Sequence, residues 1–254
     1  MHVTAIIAAG GRGQRFGAAQ PKQLLSVGGR PILERSIAAF LSHASVHEVI
    51  VALPQALVDD PPEYLRSAKA FALRTEGLPF GKALRIVAGG DRRQDSVANA
   101  FRAADEASDI IVIHDAARPF ASADLIARTI AAAAESGAAV AAVQSRDTVK
   151  LAQGRPEGRA LPEGGRFVGE TLPRETIYLA QTPQAFRREV LRRALELGAR
   201  DPFDATDEAA LVERAGLPVR LVDGDASNIK ITTPEDMLVG EAIARSAESL
   251  ALHG

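Results

Sequence analysis

A strand-like apolar run that passes through a turn into a helix recurs along this chain, and that repetition limits the fold more than any other feature. Val3 to Ile7 runs into a glycine loop, Glu48 to Leu53 is closed by Pro54, Leu84 to Ala88 ends at Gly89-Gly90, and Ile110 to Ile113 runs into His114-Asp115. These runs are almost continuously apolar rather than alternating, as strands covered on both faces are. Helical patterns separate them. One covers Pro31 to Leu41 with proline at its first position, one opens near Pro61-Pro62-Glu63 within residues 60–80, one opens at Asp91, and Ala123 to Ser136 is alanine-rich; Ala138 to Val143 is a further strand. This alternation predicts an α/β chain with a mostly parallel sheet. Ligands in such sheets bind beyond the carboxyl ends of the strands. The first loop, Gly89-Gly90-Asp91 and His114-Asp115 all fall at such ends.

The first loop, Ala8 to Gln23, packs four glycines (Gly10, Gly11, Gly13 and Gly17) into eight residues. Glycine permits positive φ and close approach of an anion to the backbone. Successive N–H groups there form an anion nest, and Arg12, Arg15 and Lys22 add positive charge. The pattern points to phosphate handling. It is not a P-loop, because no Gly-Lys-Ser/Thr occurs, and it is not the dinucleotide fingerprint, because Phe16 stands where a third glycine belongs.

The 254 residues suit a single domain, expected to span 1–254 with an arm at about 148–175. The net charge of −2 offers no general nucleic-acid surface, so any basic site is local. No cysteine is present, which excludes disulfides, thiolate catalysis and cysteine zinc sites, and the five histidines show no H-E-x-x-H spacing. No segment approaches ~20 uninterrupted apolar residues, so no membrane helix is expected. The N-terminus lacks the basic region of a signal peptide, and a cytoplasmic location is expected.

After residue 150 the rhythm breaks. Residues 151–175 are polar and rich in glycine and proline, which reads as a protruding arm or hairpin. Beyond it, Thr176 to Leu179 reads as a strand, Phe186 to Leu197 and Asp207 to Ala215 as helices, and Pro218 to Asp223 and Asn228 to Ile231 as strands. Thr233-Pro234-Glu235-Asp236 opens a last helix, with Thr233 as cap and Asp236 completing a capping-box-like arrangement.

Among residues able to carry chemistry, Asp115 follows a buried strand. It is either a Mg²⁺ ligand, since that ion prefers carboxylate, water and phosphate oxygens, or the ion-pair partner of Arg118. His114 reads as structural. Arg15, Lys22, Arg174 and Lys230 matter as a set, because a reaction at a polyphosphate needs several cations converging on one centre.

Taken together the motifs resemble the 2-C-methyl-D-erythritol 4-phosphate cytidylyltransferase family. They are Ala8-Ala9-Gly10 with Arg15 and Pro21-Lys22-Gln23; Gly89-Gly90-Asp91-x-Arg93-x-x-Ser96-Val97; His114-Asp115-Ala116-Ala117-Arg118-Pro119; Arg146-Asp147-Thr148-x-Lys150; Gln181-Thr182-Pro183-Gln184-x-Phe186; Thr206-Asp207-Glu208-Ala209; and Asn228-Ile229-Lys230. The resemblance implies a Rossmann-like, three-layer α/β nucleotidyltransferase fold with a mostly parallel twisted sheet and a protruding β-arm. It implies transfer of CMP from CTP to methylerythritol 4-phosphate with Mg²⁺, Asp115 serving as metal ligand. Arg15 (or Arg12, since the loop is one residue longer than usual) and Lys22 would stabilise the α-phosphate and leaving pyrophosphate, while Arg174 and Lys230 would hold the polyol phosphate. Ala8, Ala9, Gly10, Gly11, Gly13, Gly90, Asp91 and Ser96 would recognise the cytidine. Asp115, Arg118, Thr148, Thr182 and Thr206 would line the substrate pocket. The resemblance also implies a homodimer in which the arm of one subunit reaches the other's site. A ribitol- or other polyol-phosphate cytidylyltransferase shares most of these motifs, and a non-catalytic nucleotide-binding module is a third reading.

Overall fold

The computed structural model describes residues 1–10, 24–66, 82–153, 166–200 and 205–253. In chain order the elements are strands β1 (Val3–Ala8), β2 (Ser26–Val27) and β3 (Arg30–Pro31), helix α1 (Ile32–Leu41), β4 (Glu48–Leu53), α2 (Gln55–Asp59), β5 (Ala83–Ala88), α3 (Arg93–Ala103), β6 (Ile110–Asp115), α4 (Ala123–Ser136) and β7 (Ala138–Gln144). They continue through β8 (Val149–Gln153), β9 (Phe167–Leu172), β10 (Tyr178–Arg187), α5 (Arg188–Arg200), α6 (Glu208–Arg214), β11 (Arg220–Asp223) and α7 (Pro234–His253).

Among the described residues the central sheet has seven strands in the order β11-β7-β10-β6-β1-β4-β5. Every neighbouring pair is parallel except those of β10, which runs antiparallel to both β6 and β7. The strand period of two sorts side chains onto two helical layers. Val3, Ala5 and Ile7 of β1 join Leu33, Ile37 and Phe40 of α1 and Leu125 and Ile130 of α4 on one face. Ile6 of β1 joins Ile111 and Ile113 of β6 on the other face, packed with Val97 and Phe101 of α3, Leu191 of α5 and Leu211 of α6. The expected three-layer, mostly parallel α/β architecture is what forms.

Several expectations shift. β6 continues through His114 and Asp115, so Asp115 is the last residue of the strand rather than its follower. The strand read at 176–179 runs on to Arg187 as the ten-residue β10, with a register irregularity between Ala180 and Gln184 and a cis Thr182–Pro183 peptide, and the helix read from Phe186 forms as α5 from Arg188. Proline in a strand belongs at such an irregularity. Residues 228–231 form no strand; Ile231 N–H donates to the Ala117 carbonyl at 2.8 Å, and Asn228 is buried. The helix expected after Pro62 is described only over 63–66. β8 and β9 pair into an antiparallel ribbon apart from the main sheet.

Candidate active site

The carboxyl ends of the parallel strands β6, β1, β4 and β5 lie in a row along one edge of the sheet. Ala8 stands opposite Asp115 in the β1–β6 register, and the Ala9 and Gly89 amides donate to the Ala52 and Leu53 carbonyls at the end of β4. The turns leaving β1 and β5 meet at the start of α3. There the Ser96 hydroxyl accepts from Gly90 N–H at 3.0 Å and reaches the Arg92 carbonyl at 3.2 Å. A Cβ on Gly10 would lie 2.7 Å from Ser96 Oγ, and one on Gly90 would lie 2.4 Å from the Asp95 Cβ. Close packing therefore requires glycine at position 90, and a side chain at position 10 would displace the Ser96 hydroxyl. Asp95 closes the cap, accepting from Arg92 N–H at 3.2 Å while its oxygens pair with the Arg92 guanidinium. Ala8, Ala9, Gly10, Gly90, Asp91 and Ser96 thus gather at one corner. Gly11, Gly13, Arg12, Arg15 and Lys22 lie outside the described residues.

Strand alternation sends His114 to the α1 face and Asp115 to the α3 face. His114 packs against Phe40, ring centroids 4.8 Å apart. Its Nε2 lies 2.9 Å from the Arg118 carbonyl, which can only accept, so Nε2 carries the proton and Nδ1 accepts from the Thr182 hydroxyl at 3.0 Å. That hydroxyl in turn accepts from Asp115 N–H at 3.0 Å. Burial pushes the His114 imidazole down to about 4, which keeps it neutral in this chain of bonds. Thr182 is buried and its hydroxyl is engaged on both sides, so it braces Asp115 from within.

Asp115 is gripped by two cations. Arg93 Nε donates to Oδ1 at 2.9 Å, and Lys230 Nζ lies 2.6 Å from Oδ2. Burial opposes charge on the carboxylate, but Arg93 and Lys230 outweigh it and hold the group well below the usual carboxylate range. The expected pair with Arg118 does not form; Arg118 instead donates to the Asn228 and Ala180 carbonyls, at 2.8 and 3.2 Å. Among the described residues no group of three or more His, Asp or Glu side chains could hold a metal. Each Asp115 oxygen is engaged by one cation, Oδ1 by Arg93 and Oδ2 by Lys230. The sequence offered Arg118 as the partner because it is near in the chain; the packing of α3 supplies Arg93 from the other side.

Arg93 also reaches Glu208, the first residue of α6, with Nη1 at 2.5 Å from Oε2. Burial pushes the Glu208 carboxyl up, against the pull of Arg93. Arg93 and Glu208 sat inside recognised motifs, but nothing local marked them as partners of Asp115. Lys230 is held from behind, by the Ile231 amide on Ala117 and by Asn228, whose Nδ2 donates to the Thr182 carbonyl at 2.8 Å. Its side chain is part exposed, at 41%. Thr148 and Thr206 are exposed, and so is Arg174, which donates to the Arg146 carbonyl at the foot of the β8–β9 ribbon.

A tight glycine corner on a three-layer, mostly parallel sheet, with a cation-clamped carboxylate beside it, matches the α/β nucleotidyltransferase fold. Residues 3–246 match the family model for 2-C-methyl-D-erythritol 4-phosphate cytidylyltransferase, and the chain belongs to that family. It is 41% identical over 251 residues to the protein of that name from Geotalea uraniireducens, covering 98% of this chain and 99% of that one. The crystal structure of the Thermus thermophilus protein of the same name superposes with a TM-score of 0.73 at 38% identity, covering 96% of this chain and all of that one. A 4-diphosphocytidyl-2C-methyl-D-erythritol synthase from Anaerococcus prevotii superposes at 0.78 with 29% identity, covering 96% of each chain.

Proposed function

We infer that this chain transfers the cytidylyl group of CTP to 2-C-methyl-D-erythritol 4-phosphate. The products are 4-diphosphocytidyl-2-C-methyl-D-erythritol and pyrophosphate, in the non-mevalonate route to isoprenoid precursors. The observation that carries this reading is the Lys230 ammonium held 2.6 Å from Asp115, on the strand register of Ala8, in a chain whose residues 3–246 match the family. A phosphate oxygen of the acceptor attacks the α-phosphorus in line, and the bond to the bridging oxygen breaks to release pyrophosphate. Such a step asks for alignment and charge neutralisation rather than a covalent catalyst.

The roles follow. The backbone of Ala8 to Gly13, with Gly90, Asp91 and Ser96, forms the nucleotide side. Arg15 and Lys22 offset the charge growing on the α-phosphate and pyrophosphate. Lys230 and Arg174 hold the acceptor's phosphate, and Thr148, Thr206 and Arg118 border it. The family generally depends on a divalent cation, and Mg²⁺ suits phosphate oxygens. Such an ion is usually held by one or two carboxylates together with phosphate oxygens rather than by a protein cage, so Asp115 is the carboxylate we propose would hold it, and no step is drawn through the ion.

We further propose a homodimer in which the β8–β9 ribbon, about residues 148–175 of one otherwise single domain, brings Thr148 and Arg174 to the neighbouring copy's site. The exposure of Leu151, Val168 and Leu179, each above half, on the ribbon and the adjoining start of β10 supports this. Among the described residues no helix is long and apolar enough to cross a membrane, which is compatible with the cytoplasmic setting we propose.

Pyrophosphate release measured over a grid of nucleotides and polyol phosphates tests the reading; faster turnover of ribitol 5-phosphate would sink it. Lys22→Ala is expected to lose nearly all release while the chain stays folded, and unchanged release would remove Lys22 from the reaction.

A further inference from the structure

Four charged side chains alternate in sign through the site: Glu208, Arg93, Asp115 and Lys230. The links are 2.5 Å from Glu208 to Arg93, 2.9 Å from Arg93 to Asp115 and 2.6 Å from Asp115 to Lys230. The inner end is enclosed, with 1% of the Glu208 side chain exposed and 9% of Asp115, while the outer end opens to 41% at Lys230. Two features need a reason. Arg93 is the first residue of the eleven-residue helix α3, the end of a helix that disfavours positive charge. Buried charges, moreover, often contribute no more to stability than apolar groups of the same volume would. Stability alone therefore explains the chain of charges poorly, whereas geometry explains it well. The guanidinium is a rigid planar fork, so a carboxylate fixed on one arm is oriented by the carboxylate fixed on the other.

We propose that Arg93, backed by Glu208, is a positioning residue for the transfer. It locks the Asp115 carboxylate so that Oδ2 presents the Lys230 ammonium at one point for the acceptor's phosphate. Asp115 receives Arg93 on Oδ1, Lys230 on Oδ2 and Thr182 through its backbone, and has no freedom to swing. Lys230, a flexible four-carbon chain, has a defined resting place only while that carboxylate is fixed. When a phosphate dianion arrives, the ammonium is already placed to share it. The proposal rests on the reading that Lys230 holds the acceptor, and the experiment separates the two.

Steady-state pyrophosphate release by the full chain would be measured for Arg93→Lys, Glu208→Gln, Lys230→Ala and the double variant Arg93→Lys/Lys230→Ala. CTP and 2-C-methyl-D-erythritol 4-phosphate would be varied in turn, and each variant checked for folding by circular dichroism. Arg93→Lys keeps the charge but loses the fork, and Glu208→Gln keeps the shape but loses the charge. Each is expected to raise KM for the polyol phosphate roughly 10-fold or more, leaving KM for CTP within about 2-fold. The double variant is expected to be no worse than Lys230→Ala within about 2-fold, since residues acting as one unit do not add. Equal rises in both KM values, or effects that multiply in the double variant, would overturn the proposal. If Lys230→Ala leaves KM for the polyol phosphate unchanged, the assignment of Lys230 falls and the proposal with it. If Lys230→Ala raises that KM while Arg93→Lys and Glu208→Gln do not, only the positioning role falls. Should Arg93→Lys fail to fold, Glu208→Gln and its double variant with Lys230→Ala decide by the same split.

Discussion

Two buried carboxylates stand at opposite ends of the same sheet and keep different company. Glu48 opens β4 at the amino end, where Oε2 accepts from the Thr4 hydroxyl at 2.9 Å and from Asp105 N–H at 3.1 Å. Its other oxygen faces Arg85 at 3.1 Å. Asp115 closes β6 at the carboxyl end, and both its oxygens go to cations, one of them half in solvent. Glu48 is tied chiefly to backbone and a hydroxyl, groups that stitch β1, β4 and the turn after α3 together. Asp115 is tied to two side-chain charges, of which Lys230 opens to solvent. Burial is the same in the two cases; the partners separate a strut from a site.

The sharpest way to break this contrast is Asp115→Asn. Removing the charge that anchors Lys230 and Arg93 is expected to lower kcat/KM about 100-fold or more, the scale of losing one preorganised electrostatic contact. A loss below about 5-fold in the pyrophosphate assay would put Asp115 in the same class as Glu48.

A second test uses pH. His114, beside Asp115, is neutral when folded because burial takes its pKa to about 4, below the ordinary 6.5. The unfolded chain therefore binds the extra proton between those values, so stability is full above pH 6.5 and declines as pH falls toward 4. The decline attributable to His114 is roughly 3 kcal/mol, at about 1.4 kcal/mol for each pH unit of the gap. Urea unfolding of His114→Gln between pH 7 and 4.5 should show a flatter slope than the parent. His43 and His47, also lowered chiefly by burial, are the same in both proteins and do not enter the difference. Identical slopes would refute the neutral, hydrogen-bonded ring.

At the other end of the sheet, Glu48→Gln is expected to cost about 1–3 kcal/mol of unfolding free energy, through the weakened acceptor for Thr4 and Asp105. It should leave kcat within about 2-fold; a specific loss of kcat in protein of normal melting point would erase the distinction. The smallest effect belongs to Arg85→Ala, at most about 1 kcal/mol by urea unfolding, because Arg85 is half exposed and its pair with Glu48 is partly screened. A cost above about 3 kcal/mol would mean that the Glu48 charge is held mainly by Arg85 rather than by its hydrogen bonds.

How much could be read from residues alone depended on whether the deciding contacts were local. The apolar runs Val3 to Ile7 and Ile110 to Ile113 are strands because nothing but burial on both faces suits them. The start of α7 was legible because its cap is local: Asp236 accepts from the Thr232 and Thr233 amides at 2.7 and 2.8 Å. β10 was misread because Gln181-Thr182-Pro183-Gln184 is polar and contains proline, which locally signals a turn. Its buried polar groups are satisfied from far away, Gln184 by Asp207 at 2.8 Å and the Thr182 carbonyl by Asn228. Asn228 to Ile231 erred the other way, since an apolar alternation that looked like a strand is an irregular segment anchored at Ala117.

The sequence by itself determined the layered α/β fold, the glycine corner and the presence of an acid at the end of β6, since strand period and turn chemistry are properties of neighbouring residues. Only the tertiary structure decided which cations that acid serves. Arg93 and Lys230 are 22 and 115 residues from Asp115, and no local pattern reports which charges a sheet and its covering helices will press together.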